Sequence, residues 1–230
     1  MLKKLKINDI APASYNPRFL DKEAAKALEE SIDRLGLIKP ILVRDENMTI
    51  IAGHQRTKSA KKLGHKEVLA YIIAGVGKQD EVRFNQFHNM CELPIFSLQP
   101  KIKINRKLES GWHTVSPDEI EIIDKGACGQ ILHSLTLLVR RYGTFANVIA
   151  NSEGKVLVSA MYGYICKLMN KELLVYVAQD EDQDFIVNAF GRDYGCFSYD
   201  NTPKETYAQS FAQKSRLRNK GVRGDEPRRS

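Results

Sequence analysis

The stretch Thr49-Ile50-Ile51-Ala52-Gly53-His54-Gln55-Arg56-Thr57 constrains this chain more than any other. Apolar β-formers climb to a glycine, a His-Gln-Arg cluster follows, and an Ala/Lys/Leu-rich run takes over at residues 58–64. That order specifies a strand, a tight turn and a helix N-terminus. A helix start leaves its first amides without an intrahelical acceptor and carries the positive end of the dipole, which suits phosphate. Gly53 admits a close backbone approach, and Arg56 offers a fork for phosphate oxygens. Gln55 and Thr57 add side-chain donors. A plain corner whose polar residues cap the helix is the competing reading.

Period and breakers order the elements around this stretch. Residues 5–10 form a short strand, and residues 12–17 a turn-rich loop that leaves Arg18 exposed. Asp21 caps a helix over residues 22–35, with Ala24, Leu28, Ile32 and Leu35 on one face, and Gly36 stops it. Strands at 40–44 and 48–52, a helix at 55–63 and a strand at 67–73 follow. Strands alternating with helices give the fold class α/β (α+β).

After Gly75 and Gly77 comes a helix on which Asn85, His88, Asn89 and Glu92 share one stripe, while Val82, Phe84, Phe87 and Cys91 serve core contacts. Amides, an imidazole and a carboxylate on one face suit a metal–phosphate or hydroxyl-activating site, with a solvated polar face as the alternative. Lys101, Lys103 and Arg106 mark a linker or strand near a polyanion, or a solvated connection. Ser116-Pro117-Asp118-Glu119 starts a helix, with Pro117 at its first position. The second half then echoes the first. Residues 143–150 mirror 36–43, residues 171–176 mirror 66–71, and Ser159-Ala160-Met161-Tyr162 stands where Gly53-His54-Gln55-Arg56 stood. The spacing differs by two residues, placed at the turn between the strands. A degenerate second copy that lost its phosphate residues is one reading, and chance similarity is the other.

Tyr15-Asn16-Pro17-Arg18, Gly36, Pro40 to Arg44, Ala52-Gly53-His54-Gln55-Arg56 and Lys62-Leu63-Gly64 together resemble the N-terminal domain of the ParB/sulfiredoxin-like superfamily. The resemblance covers roughly the first 75 residues in order. It implies a nucleotide site at the Gly53 turn. Partition proteins of this superfamily bind and hydrolyse CTP there, sulfiredoxins use ATP, and free-serine kinases transfer phosphate from ADP. ParB partition proteins typically carry Gly-Glu-Arg-Arg at the turn, and here His54 and Gln55 replace Glu and the first Arg. The Gly-His-His-Arg of free-serine kinases is more similar. Sulfiredoxins place a cysteine after the glycine, which is absent. The Glu-Asn pair of partition proteins carries over only as Asn85, since Phe84 precedes it.

The chain has 230 residues with 43% hydrophobic content, enough for one large or two small domains with a real core. No apolar run reaches the roughly 18 residues of a membrane span. Met1 to Lys6 is too short and charged for a signal peptide, and the four cysteines lack CxxC spacing, so a cytoplasmic protein is expected, in the host cytoplasm if phage-encoded. Residues 214–230 hold seven Lys/Arg against two acidic residues, five of the seven excess positive charges. Arg216 and Arg218 end a helix there with Tyr207 and Phe211, a face that can stack on bases or pack inward.

These features divide the chain into a ParB/sulfiredoxin-like nucleotide-binding domain at 1–93, a linker at 94–115, a mixed α/β domain at 116–213 and a basic tail at 214–230. The expected function is an ATP-dependent kinase (phosphotransferase) acting on DNA, with hydroxymethylated pyrimidine bases as a candidate acceptor in phage DNA modification. In that picture Gly53, Gln55, Arg56 and Thr57 hold phosphates, His54 stabilises the transferring group, and Asn16 and Arg18 close over the donor or acceptor. Asn85 and Glu92 position Mg2+, and His88 or Glu92 takes the hydroxyl proton. The nucleotide is ATP or CTP, and a homodimer is allowed. Nucleic acid is met by Lys101, Lys103, Arg106, Arg216 and Arg218. The alternatives are a ParB-like CTP-binding switch on DNA, or a ParB-like nuclease using Asp80, Glu81 and Glu92.

Overall fold

A computed structural model describes residues 2–13, 22–81, 83–84, 100–125 and 129–191, all within one compact unit, residues 1–197. The first sheet contains β1 (Leu2–Lys6), β2 (Ile41–Arg44), β3 (Ile50–Ala52) and β4 (Glu67–Ile73), in the order β1-β4-β2-β3. β2 runs parallel to β4, while β1 and β3 are antiparallel to their partners. Helix α1 (Lys22–Leu35) buries Leu28 and Ile32, and Gly36 at φ 70° ends it. Helix α2 (His54–Lys62) follows β3 directly.

The second sheet repeats this plan. Its strands are β6 (Gly111–Val115), β8 (Asn147–Ala150), β9 (Val156–Val158) and β10 (Leu173–Val177), in the order β6-β10-β8-β9. Here too the central pair is parallel and the outer strands antiparallel. Helix α3 (Gly129–Tyr142) precedes β8, as α1 precedes β2, and α4 (Ala160–Leu168) follows β9, as α2 follows β3. The registers agree. Ile41 pairs with Ala70 as Val148 pairs with Val175, and a register shift falls between Leu42 and Val43 in one sheet and between Ile149 and Ala150 in the other. The faint sequence echo is therefore a repeat of one β-α-β-β-α-β plan. The two-residue difference splits between two turns. One residue goes between the second and third strands, and one between helix and last strand, since the two helices are equally long.

Four expectations shift. The first strand starts at Leu2, and residues 7–9 form a 3-10 turn with Ile7 buried. β3 begins only at Ile50, because Met48 at φ 52° turns the chain. Ser116-Pro117-Asp118-Glu119 is a true capping box, yet it caps only the 3-10 turn Pro117–Glu119. Alternating Ile120 and Ile122 then draw the chain into β7 (Ile120–Asp124). The stretch 94–115, read as a linker, contains β5 (Lys101–Ile104), which pairs with β7, and β6.

The halves share core. Leu42, Ile51 and Tyr71 pack in one cluster with Phe145, Tyr162 and Val175. Polar contacts join them as well. The Tyr71 hydroxyl donates to the Ala146 carbonyl at 3.1 Å, and the buried Asn147 amide donates to the Ile38 carbonyl at 3.1 Å. Helix α5 (Gln183–Gly191) closes against β9, with Ile186 and Phe190 packed near Ile38.

Candidate nucleotide site

At the corner between β3 and α2, Gly53 takes φ 101° and ψ 19°, a left-handed conformation that favours glycine. A Cβ there would lie 2.6 Å from Ile41 Cγ2 and 3.3 Å from Ile41 Cα, so the turn is pressed onto the start of β2. The Thr57 N–H and hydroxyl both donate to the Gly53 carbonyl, at 3.0 and 3.1 Å. This places the first turn of α2, with its dipole, at the lead-in to β2.

Each side chain of the cluster has a defined place. His54 Nε2 accepts the Ala13 N–H at 3.1 Å, and burial pushes its imidazole pKa below the ordinary value. The ring is thereby held neutral, and it ties the segment 11–13 to the helix start. Arg56 Nη1 donates to the Lys39 carbonyl at 2.7 Å and the Pro40 carbonyl at 3.2 Å, clamping the lead-in to β2. Gln55 is partly exposed beside it, while Thr57 is buried.

The second copy builds the same corner differently. Ser159 takes φ 65° and ψ 33° where Gly53 stands, and Tyr162 sits in the place of Arg56. The Tyr162 hydroxyl accepts the amides of Phe145 and Ala146, at 2.7 and 3.1 Å, so it too clamps the lead-in to its strand. The clamp survives with reversed polarity, whereas the other corner residues, Ala160 and Met161, are apolar.

A carboxylate network lies where β4 leaves the sheet. Asp80 accepts from Arg83 (2.6 Å), Arg141 (2.5 Å) and the Tyr142 hydroxyl (2.7 Å). Burial alone would raise its pKa, but these hydrogen bonds outweigh it and hold the carboxyl below the usual range. Glu81 pairs with Arg44 at the end of β2, and burial raises its pKa. The nuclease carboxylates Asp80 and Glu81 are thus internal ion-pair partners. Sequence reasoning missed their partners, since Arg141 stands 61 residues from Asp80 and no local spacing reveals it.

Lys101 and Lys103 are exposed on β5, opposite Asp124 and Glu121 of β7, and Arg106 pairs with Glu119. The basic stretch is therefore charge-matched by the strand and turn it lies against. Asn16, Arg18, Asn85, His88, Glu92, Arg216 and Arg218 lie outside the described residues. Among the described residues, no group of three or more His, Cys, Asp or Glu could hold a metal ion. Nor is any described helix long and apolar enough to cross a membrane.

Residues 1–90 match the family model of the ParB N-terminal domain. The ParB-like nuclease domain-containing protein YnaK of Escherichia coli is 33% identical over 88 residues, which are 36% of this chain and all of YnaK. The chain belongs to the ParB/sulfiredoxin-like superfamily. The probable chromosome-partitioning protein ParB of Coxiella burnetii is 46% identical over 111 residues, 47% of this chain and 38% of that protein. Such partition relatives are matched over only 24% to 38% of their own length. Among solved structures, C-terminally truncated ParB from Caulobacter crescentus complexed with CTP-γ-S is similar at 23% identity and a TM-score of 0.36, over 39% of this chain and 52% of that one.

Proposed function

We propose that this superfamily member binds a nucleoside triphosphate at the Gly53 turn and uses it to control contact with DNA. The single observation that carries this is the left-handed glycine packed on Ile41 at the head of α2. The missing Cβ lets the turn pack on Ile41, and the helix that starts there presents the positive end of its dipole at the turn, a seat that suits phosphate. The Arg56 clamp and the His54 tether stiffen the segments flanking that turn, which lowers the ordering cost of binding. Family membership supports the same assignment, with CTP or ATP as the nucleotide. Residues 1–93 then carry the nucleotide, residues 116–213 follow the segment 94–115, and the tail 214–230 adds charge toward DNA. If Mg2+ accompanies the nucleotide, Asn85 and Glu92 are the residues assigned to it.

Phosphoryl transfer to a hydroxyl on DNA, such as a hydroxymethylated pyrimidine, is the second reading. It is favoured by one residue, the histidine at 54 where partition proteins carry glutamate. With Nε2 engaged by Ala13, His54 would face a transferring phosphoryl group only through Nδ1.

Duplex affinity measured with and without CTP, ATP or GTP, with γ-labelled nucleotide followed in parallel, separates the two. A nucleotide-dependent change in affinity without label in DNA is expected. Label entering hydroxymethylated DNA would establish the second reading. Indifference to every nucleotide with no label transferred would contradict both.

A further inference from the structure

At the opposite end of α2 from the Gly53 turn, residues 6–9, 61 and 64–67 line a cleft of about 730 Å³ that the nucleotide reading does not use. Lys6, Lys61 and Lys66 line it with the exposed Asn8 and His65, against the carboxylates of Asp9 and Glu67. Glu67 stands opposite Lys6 in register, yet no ion pair among the described residues engages Lys6, Lys61 or Lys66. Lys3 and Lys4 continue the charge along β1, and Lys58 adds to it on α2, all three exposed.

Lysines on an edge strand and in a helix's last turn have bland explanations, since they guard the edge and complement the dipole. The second copy is an internal control for the first of these. Its edge strand β6 has no Lys or Arg, and α4 has one lysine, Lys167, whose Nζ donates to the Pro117 carbonyl at 2.8 Å. The position of exposed Lys58 is occupied there by the buried Tyr164. α4 is covered by β5, with Ile102 packed against Gly163, whereas α2 packs on α1 and β2. Lys61 and Lys66 do have counterparts, Lys167 and Lys171. What sets the first copy apart is Lys3, Lys4 and Lys6 on its edge strand, Lys58 on α2, and a Lys61 without the carbonyl partner that Lys167 has.

We propose that this cleft and the adjoining β1 edge form a contact surface for the phosphate backbone of duplex DNA. The cations are spread over two elements rather than converging on one point, and they are lysines without an arginine fork. That pattern suits sequence-independent neutralisation of successive phosphates rather than capture of a single anion. The proposal deepens the DNA half of the proposed function and is independent of where the nucleotide binds.

The test compares the full chain with its Lys6→Ala/Lys61→Ala/Lys66→Ala variant on labelled random-sequence duplex, over a range of salt. Lys125→Ala/Lys155→Ala/Lys171→Ala, which removes three exposed lysines elsewhere, serves as the control, and nucleotide binding is titrated in parallel. Loss of three phosphate contacts should weaken binding about tenfold or more and flatten the log–log salt slope by roughly 2–3, with the control near wild type. Unchanged affinity and slope in the cleft variant would overturn the proposal, as would a wild-type chain that does not bind duplex. Absence of nucleotide binding would instead count against the Gly53 site.

Discussion

His54 Nε2 takes the Ala13 N–H, and only a ring without a proton on that nitrogen can do so. Burial pushes its pKa below the ordinary value, so the unfolded chain binds more protons than the folded one as pH falls. The stability that His54 contributes is therefore complete above the ordinary imidazole range and declines as pH drops through it toward the lower folded value. Thermal unfolding between about pH 7 and about pH 5 should lose stability more steeply in wild type than in His54→Gln, which offers Ala13 an acceptor that does not titrate. Parallel pH profiles would show that the tether is not what holds residues 11–13.

At the scale of elements, the two strand-to-helix corners make a matched pair. Gly53 is locked by both its backbone angle and the Ile41 contact, whereas Ser159 already carries a side chain at φ 65°. Gly53→Ser should therefore lose about 2–4 kcal/mol through backbone strain and overpacking. Ser159→Gly should stay within about 1 kcal/mol of wild type, since relief of left-handed strain offsets the freer unfolded chain. Urea unfolding checks both, and equal losses would contradict the difference in packing. The same corners show what local sequence reveals. Helix α1, the glycine turn and β4 follow from period, caps and breakers, and all three are legible to within a residue or so. The capping box at Ser116 is equally legible, but its helix is overridden by the pairing of β7 with β5. Nothing local announces that Arg56 faces carbonyls, because those of Lys39 and Pro40 stand 17 and 16 residues away.

Across the whole molecule, one β-α-β-β-α-β plan is used twice, and the two copies have diverged at the same corner. The first keeps glycine, histidine, glutamine and arginine, and the second keeps only the clamp, through Tyr162. Asn147 and Tyr71 dock the second lead-in segment against the first, so the second copy supports the first corner rather than duplicating it. The sequence echo pointed to this plan, but only the strand registers distinguish a repeat from chance. The contacts between copies join residues 75 and 109 positions apart, beyond any periodicity. Calorimetric titration with CTP, ATP and GTP tests the account most directly, using wild type, Gln55→Glu and Ala160→Glu. One nucleotide per chain is predicted, weakened at least about tenfold by the new charge at the first corner and unaffected by the same charge at the second. Two sites per chain, no site at all, or indifference to Gln55→Glu would contradict a single nucleotide seat at Gly53.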